Sequence, residues 1–232
     1  MTRPALIAFD LDGTLVDHEG SATKGLHRWL RSLDVTPTDE LTAEWFRVEK
    51  THVTPWREGL ISWDEQRRRR LREFLPLVGQ DVGGPDELDR CFREGYLPAY
   101  EDSWTAYSDA RPVLLELAVR GFAIAFVSNG EEVQQNGKLR RTGLADLVPD
   151  VLTADGLGVA KPDPDFFTRA CARLGVAPDS VLHIGDEHDL DVVPARAAGL
   201  RAVHLDRHDT DEFHESARVT DLLQLLDSNE LA

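Results

Sequence analysis

The chain has 232 residues, of which 41% are hydrophobic and 29% are charged, and its mean hydropathy is −0.34. This composition excludes a disordered chain and a membrane-embedded one. Acidic residues outnumber basic ones by 42 to 26, and the formal net charge of −16 argues against general binding to nucleic acid or to a membrane surface. An anionic substrate is compatible with this charge only if a metal ion or a few cations neutralise it locally.

The N-terminal apolar run is interrupted by Asp10 and Asp12, which excludes a secretory signal and a membrane anchor. The two cysteines, Cys91 and Cys171, form no CxxC pair, so we expect neither a zinc knuckle nor a disulfide scaffold. We therefore predict a cytoplasmic protein in which both cysteines are reduced and buried.

Short apolar runs without alternation predict buried strands of a parallel sheet. The predicted strands are Ala5–Asp10, Phe122–Ser128, Val151–Ala154, Val181–Asp186 and Arg201–Leu205. Helical patterns lie between the later strands, at Pro112–Arg120, Glu132–Arg141, Pro164–Leu174 and Leu190–Ala198. Each helix is followed by a glycine suited to a left-handed helix end, namely Gly121, Gly143, Gly175 and Gly199. This alternation predicts an α/β protein with a doubly wound parallel sheet.

Residues 16–105 interrupt this alternation with helical periodicity and no convincing strand. The candidate helices are Ala22–Leu33, Glu40–His52, Trp63–Val78 and Glu87–Tyr96, and all five tryptophans fall within the segment. We predict an all-helical domain of residues 16–105, inserted into a core domain formed by residues 1–15 and 106–232. The run Arg67–Arg70 is interpreted as a solvated helix face or, alternatively, as a basic edge above an anionic substrate.

Polar residues follow four of the predicted strands. Ligands of open parallel sheets bind at the carboxyl ends of the strands, so these residues are expected at one edge. Residues 10 and 12 would point the same way if the first strand continued through both. Each strand end alone has a structural explanation as a turn, a helix cap or a surface cation, but together they predict a functional site. The residues are Asp10, Asp12, Ser128, Asn129, Gly130, Lys161, Asp186, Asp189 and Asp191.

The segments DLDGT (10–14), SNG (128–130), KPDP (161–164) and GDEHDLD (185–191), in this order, resemble the four motifs of the haloacid dehalogenase (HAD) superfamily. The helical insertion directly after the first motif is similar to the C1-type cap of that superfamily. Residues 129–144 are also similar to the helix that follows the second motif in many of these enzymes. The resemblance implies a Rossmann-like core with a helical cap, and the phosphatase branch of the superfamily.

By this resemblance Asp10 is the nucleophile that forms an aspartyl-phosphate, and Asp12 is the general acid and base. The implied cofactor is Mg²⁺, held by Asp10, Asp186 and the backbone carbonyl of Asp12. Asp191 would then orient Asp186 or the waters of the metal. Asp189 is the alternative to Asp191 in the fourth motif, although we expect it to cap the helix Leu190–Ala198.

The resemblance also implies which residues bind the phosphoryl group of the substrate. Gly130 allows a close approach of the backbone at the start of a helix, where an anion is favoured. Lys161 is expected to neutralise charge on both Asp10 and the phosphate. The implied phosphate-binding residues are Thr14, Ser128, Asn129, Gly130 and Lys161.

The implied activity is hydrolysis of a small soluble phosphate monoester, such as a nucleoside monophosphate or phosphoglycolate. A phosphosugar mutase keeps the same core residues and stays open as an alternative. Asp12 argues against a 2-haloacid dehalogenase, which needs no acid for its leaving group, and the intact motifs argue against a non-catalytic binding protein. We leave open a monomer or a homodimer, and we leave open whether His18 faces the site or solvent.

Overall fold

The computed structural model describes residues 3–147 and 151–232. Six parallel strands form one sheet in the order β3-β2-β1-β4-β5-β6. The strands are β1 (Leu6–Phe9), β2 (Ala123–Ser128), β3 (Val151–Thr153), β4 (Val181–Gly185), β5 (Arg201–Leu205) and β6 (Arg218–Val219). The predicted α/β fold with a doubly wound parallel sheet is confirmed.

The described α helices are, in chain order, α1 (His18–Ser32), α2 (Asp39–Arg57), α3 (Trp63–Phe74), α4 (Pro85–Arg90), α5 (Leu97–Glu101), α6 (Ala110–Val119), α7 (Glu132–Thr142), α8 (Ala154–Leu157), α9 (Pro164–Leu174), α10 (Val193–Ala197) and α11 (Leu222–Leu225). Short 3₁₀ segments lie at Leu75–Val78, Pro178–Ser180 and Asn229–Leu231, and π-helical turns lie at Cys91–Tyr96 and His188–Val192. The four glycines expected at helix ends all have positive φ angles, as predicted: Gly121, Gly143, Gly175 and Gly199.

Strand β1 lies in the middle of the sheet, and both of its faces are buried. Ile7 and Phe9 belong to one hydrophobic cluster, which includes residues of α6 and α11. Leu6 and Ala8 belong to a second cluster, which includes residues of α9. Because side chains alternate between two covered faces, every residue of the strand is apolar and the sequence shows no alternation.

Several strand boundaries differ from the prediction by one residue. Strand β1 ends at Phe9 rather than Asp10, and the chain then turns at Gly13, which has a φ angle of +84°. The alternation expected for residues 10 and 12 therefore does not apply, since they lie beyond the strand. Strand β6 was not predicted, because two residues are too few to give an apolar pattern.

Other boundaries shift in the same way: β2 begins at Ala123, β3 ends at Thr153 and β4 ends at Gly185. Among the helices, α1 begins before the predicted Ala22, and α6 begins before the predicted Pro112. Helix α2 extends past the predicted His52 to Arg57, and the hydroxyl of Thr38 caps its start by accepting from the N–H of Leu41.

Three predicted helices are interrupted near a proline. The predicted helix Trp63–Val78 is α-helical only to Phe74, and Glu87–Tyr96 becomes a π-helical turn from Cys91. The predicted helix Leu190–Ala198 begins as a π-helical turn and is α-helical only in α10. In each case a proline follows the change, and it cannot donate the N–H bond that a continuous α helix requires. These prolines are Pro76, Pro98 and Pro194.

The described residues form two compact units. One contains the residues up to His18 and those from Thr105 onwards, with the whole sheet; the other contains Glu19–Trp104 and is helical. Residues of the first unit form the connection, since the N–H of Asp17 donates to the carbonyl of Thr105 at 2.9 Å and the N–H of Tyr107 to that of Leu15 at 2.9 Å.

The helical unit has a core of packed aromatic rings. Trp45 contacts Trp29, Phe74 and Tyr96, with ring centroids between 4.5 and 5.7 Å apart. Cys91 of this unit is only half-buried, contrary to the prediction, whereas Cys171 of the other unit is buried. No helix among the described residues has the length and apolar character needed to cross a membrane.

The run Arg67–Arg70 is only partly a solvated face. Arg68 pairs with Asp89 at 2.5 Å and Arg69 with Glu65 at 3.1 Å, both on partly exposed surfaces. Arg70 is buried, and it pairs with Glu49 at 3.1 Å within the helical unit. The interpretation as a solvated face therefore does not hold for Arg70, because this position of α3 faces the aromatic core.

Candidate active site

Asp10 follows β1 directly and lies at the carboxyl edge of the sheet. Its backbone N–H donates to the carbonyl of Ile184 on β4 at 2.8 Å, and the residue is 6% exposed. The Lys161 ammonium donates to Oδ1 of Asp10 at 2.5 Å. Burial raises the pKa of Asp10 to about 7, although the charge of Lys161 opposes this rise. The predicted nucleophile is thus a buried carboxylate fixed by a cation.

Lys161 is buried between two carboxylates. Besides Asp10, its ammonium donates to Oδ1 of Asp191 at 2.6 Å. Burial lowers the pKa of Lys161, but the two carboxylates outweigh burial and raise it above its usual range. The side chain of Asn129 fixes the backbone here, because it donates to the Lys161 carbonyl and accepts from the Lys161 N–H, both at 2.8 Å. This contact joins the segment after β2 to the loop between α8 and α9.

Asp10, Asp186 and Asp191 form a cluster in which one carboxylate oxygen from each lies within 4.8 Å of the others. Burial raises the pKa of Asp186 well above its usual range, and repulsion from Asp10 and Asp191 adds to the rise. Such a group of hard oxygen ligands suits a divalent cation of the Mg²⁺ type, which would relieve the repulsion. The cluster therefore fits a divalent metal ion.

Asp191 differs from the other two acids because hydrogen-bond donors already surround its carboxylate. Oδ1 accepts from Lys161 and lies 3.1 Å from His183 Nε2, and Oδ2 accepts from the N–H of Glu187 at 3.2 Å. Burial raises the pKa of Asp191, but Lys161 and His183 outweigh it and hold that pKa below its usual range. This environment suits a residue that holds Lys161 and the loop after β4 in place.

Asp189 lies outside this cluster. Its side chain is 85% exposed and contacts His188 at 3.0 Å. The prediction that Asp189 caps the following helix is wrong, because the π-helical turn begins after Glu187 and has no side-chain cap. Asp191 is accordingly the buried acid of the fourth motif.

Asp12 contacts a second cation. The Lys138 ammonium donates to both of its oxygens, at 2.5 and 2.7 Å, and Gln135 Nε2 donates to Oδ2 at 3.1 Å. Burial raises the pKa of Asp12, but Lys138 and His18 outweigh it and lower that pKa below its usual range. His18 Nδ1 lies 4.0 Å from Oδ1 of Asp12, so His18 is near the site.

Ser128 is the last residue of β2, and Asn129 and Gly130 lead from it towards α7. The Ser128 hydroxyl is buried, accepts from Gln135 Nε2 at 3.0 Å and lies 3.3 Å from the N–H of Gly130, which donates to it. Hydroxyl and amide donors at this edge of the sheet are suited to phosphoryl oxygens. Asn129, by contrast, uses its side chain to bind the backbone of Lys161.

Thr14 is fully buried, and its hydroxyl donates to Oδ1 of Asp186 at 2.9 Å. The predicted role of Thr14 in binding phosphate stays a prediction, and in this structure its hydroxyl orients Asp186. The adjoining loop is held by Arg207, which donates to the carbonyls of Gly13 and Thr14 at 3.2 and 2.6 Å and pairs with Asp109 at 3.1 Å.

Four residues that organise this site were not predicted from the sequence, namely Gln135, Lys138, His183 and Arg207. Two of them carried a signal. Lys138 is one of only four lysines in a chain with 22 arginines, and His183 interrupts an otherwise apolar strand. Gln135 and Arg207 carried none, because their contacts with Asp12 and Asp109 join positions that are 123 and 98 residues apart along the chain. The other bonds of Arg207 go to backbone carbonyls.

A sequence model described as a haloacid dehalogenase-like hydrolase matches residues 4–199. A phosphoserine phosphatase of Thermus thermophilus is 35% identical over 189 residues, which cover 80% of this chain and 72% of the relative. A phosphoglycolate phosphatase of Rhodospirillum rubrum is 31% identical, with 86% and 78% of the two chains covered.

Among solved structures, a putative HAD-hydrolase YfnB from Bacillus subtilis, bound to magnesium, has a TM-score of 0.85. It is 21% identical, and the match covers 97% of this chain and 98% of that one, which shows a shared fold. The family match extends over most of the chain and includes all four motifs. The chain therefore belongs to the haloacid dehalogenase-like hydrolases, as its motifs predict.

Proposed function

We propose that this hydrolase is a Mg²⁺-dependent phosphatase that cleaves small phosphate monoesters through an aspartyl-phosphate on Asp10. The observation that carries the proposal is the pair of carboxylates Asp10 and Asp12, each fixed by its own buried lysine. The phosphatases among its relatives support the same reaction class.

In the first step, an oxygen of Asp10 attacks phosphorus, and the bond from phosphorus to the ester oxygen breaks. The electron pair of that bond goes to the leaving oxygen, which takes a proton from the Asp12 carboxyl group. Asp12 must therefore carry its proton in the substrate complex, whereas Lys138 and His18 favour its ionised form in the free protein. In the second step, water attacks the aspartyl-phosphate, and its proton passes to Asp12 while the Asp10–phosphorus bond breaks. The products are an alcohol and phosphate, and both carboxyl groups return to their starting states.

Lys161 lies within hydrogen-bond distance of Asp10 and can neutralise charge on both the nucleophile and the phosphoryl group. The Ser128 hydroxyl and the amides of Asn129 and Gly130 are the proposed donors to phosphoryl oxygens. Mg²⁺, held by Asp10, Asp186 and the carbonyl of Asp12, would supply positive charge that keeps the carboxylates ionised and balances the phosphate.

The test is a panel of phosphate monoesters assayed with purified protein, with Mg²⁺ and after treatment with a chelator. We expect turnover that needs the divalent ion and disappears in Asp10→Asn. Asp186→Ala should lower the affinity for Mg²⁺, so that a higher Mg²⁺ concentration is needed for half-maximal turnover. The matched control is Asp189→Asn, because this carboxylate is exposed and lies in the same loop as Asp186. Ordinary turnover by Asp10→Asn would overturn the nucleophile assignment.

The same panel separates the alternatives. A mutase would transfer the phosphoryl group between positions of one sugar phosphate and release little inorganic phosphate. A 2-haloacid dehalogenase would release halide from a 2-haloacid without added metal. We expect inorganic phosphate from monoesters and no halide, because Asp12 provides the acid that an alkoxide leaving group requires.

A further inference from the structure

Two residues of α7, Gln135 and Lys138, surround the carboxylate of Asp12 with donors. Lys138 is 1% exposed and donates to both oxygens, and Gln135, also 1% exposed, donates to Oδ2. They are three positions apart, so both side chains project from the same face of the helix. Donors from one rigid helix therefore fix both oxygens of Asp12.

Gln135 also connects Asp12 to the end of β2. Its Nε2 lies 3.1 Å from Asp12 Oδ2 and 3.0 Å from Ser128 Oγ, and it donates to both. A Cβ atom at Gly130 would lie only 1.9 Å from that same nitrogen. Glycine at position 130 thus leaves the space that the Gln135 amide occupies, in addition to giving access to the backbone amide.

We propose that Lys138 and Gln135 are positioning residues, which hold the Asp12 carboxyl group in the orientation that proton transfer requires. The inference rests on the proposed function, in which Asp12 exchanges a proton with the leaving oxygen and then with water. A carboxylate on a loop after the end of a strand can turn about its side-chain torsions, whereas three hydrogen bonds from α7 select one orientation. Proton transfer depends on such geometry before anything else.

The inference predicts an effect that depends on the leaving group. An alkyl alcohol is a poor leaving group and needs the proton from Asp12, whereas 4-nitrophenolate leaves without one. Lys138→Met keeps a side chain of similar length and removes the donor. We expect kcat for an alkyl phosphate such as glycerol 1-phosphate to fall by about 100-fold, within the usual range for general acid–base catalysis.

For 4-nitrophenyl phosphate, the first release of nitrophenolate should slow by less than about threefold in Lys138→Met, because that step barely uses Asp12. The KM values should stay within about threefold of those of the wild type. Gln135→Leu should give the same pattern with a smaller loss. The matched control is Arg140→Met, an exposed basic residue on the same helix, which should behave like the wild type.

A double-mutant comparison separates positioning from general damage to the fold. If Lys138 acts through Asp12, then Asp12→Asn with Lys138→Met should be no slower than Asp12→Asn alone. Losses that multiply, or equal losses with the alkyl and the aryl ester, would overturn the inference. If Lys138→Met does not fold, the comparison is made with Gln135→Leu and with the double variant, which buries no unpaired charge.

Failure of the proposed function has a different signature. In that case the wild type turns over no phosphate monoester in the presence of Mg²⁺, whatever stands at position 138. Turnover by the wild type, with unchanged leaving-group dependence in Lys138→Met and Gln135→Leu, would instead contradict only the positioning role.

Discussion

At the scale of single residues, Gly13 shows how closely the loop after β1 approaches the acidic cluster. Its φ angle is +84°, and a Cβ atom there would lie 2.1 Å from Oδ2 of Asp186. Two requirements thus meet at one position, a left-handed backbone and space for a carboxylate. Because Asp186 is a proposed metal ligand, this glycine controls where one ligand can lie.

We predict that Gly13→Ala displaces the Asp186 carboxylate and lowers the affinity for Mg²⁺. The left-handed backbone alone should cost about 1–2 kcal/mol of the free energy of unfolding. The control is Gly175→Ala, since Gly175 has a φ angle of +69° and nothing within 4 Å of its Cβ position. Denaturant unfolding should show similar destabilisation in both variants. The Mg²⁺ concentration needed for half-maximal turnover should rise only in Gly13→Ala. Equal metal dependence would contradict the prediction.

Most of the residues predicted from the sequence lie at strand ends or in the connections that follow them. Asp10, Lys161 and Asp186 were identifiable because parallel strands bring their carboxyl ends to one edge, so order along the chain was sufficient. Lys138 and His183 were not assigned a role, because the rotation of a helix and the inward face of a buried strand depend on packing. The rotation of α7 and the direction of the His183 side chain are determined by contacts between segments that are distant along the chain.

At the scale of elements, the segment after β5 holds the loop after β1. Arg207 donates to two carbonyls of that loop, pairs with Asp109 before α6 and lies with its guanidinium 3.7 Å from the ring centre of Tyr107. A planar guanidinium with several donors can make all of these contacts at once, which an ammonium cannot. The position of Thr14, and through it Asp186, depends on this contact.

We predict that Arg207→Gln lowers the free energy of unfolding by about 2 kcal/mol or more, because it leaves a buried Asp109 and two carbonyls without a charged donor. Activity should fall further than this loss of stability explains, since the loop carrying Thr14 is released. The comparison is Arg169→Gln, which breaks an exposed pair with Asp165 and should cost less than about 0.5 kcal/mol. Urea unfolding and steady-state kinetics measure both effects, and equal costs in the two variants would contradict the prediction.

Among the features of the secondary structure, the helix boundaries were the hardest to predict from the sequence. Periodicity identified the apolar faces of α3 and of the segment before α10, but it gave no sign of where hydrogen bonding changes to a 3₁₀ or π pattern. Pro76 and Pro194 were visible in the sequence, and their effect depends on which neighbouring carbonyls can be satisfied in another way. Which other donors satisfy these carbonyls depends on tertiary packing, so it cannot be predicted from the local sequence.

At the scale of the whole molecule, acid stability should depend on Asp206 as well as on the site. Asp206 follows β5, is 6% exposed and accepts from the N–H of Asp211 at 2.8 Å and from Arg218 at 3.0 Å. Burial raises the pKa of Asp206, but these donors outweigh burial and hold that pKa below its usual range. An acidic group whose pKa is lower in the folded state than in the unfolded state stabilises the fold at pH values above its unfolded-state pKa. This stabilisation is lost as the pH falls through the folded-state pKa.

We predict that Asp206→Asn is less stable than the wild type at neutral pH, and that the difference shrinks as the pH falls below about 4, the ordinary pKa of an aspartate. Thermal or urea unfolding at a series of pH values measures the difference. Glu212→Gln, an exposed substitution in the same loop, serves as the control and should leave the pH profile unchanged. A difference that stays constant down to pH 2 would show that Asp206 acts through something other than its charge.

The fold class followed from the sequence because alternating strands and helices admit few arrangements, and the right-handed parallel crossover restricts them further. The division into residues 16–105 and a core of 1–15 with 106–232 stays a prediction about domains. The cytoplasmic location and the choice between monomer and homodimer also stay predictions, because they concern surroundings and partners rather than the packing of one chain.

The position of β1 at the centre of the sheet has a consequence for how the chain reaches its native state. Leu6 pairs with Ala123 of β2 on one side and with Val181 of β4 on the other. The central strand therefore cannot pair on both sides until the chain has been synthesised beyond β4. Pairings between distant segments form slowly, because a long loop must close before any contact stabilises it. During synthesis on the ribosome, the apolar run Leu6–Phe9 emerges before either neighbouring strand, so it stays accessible to chaperones until both have been made.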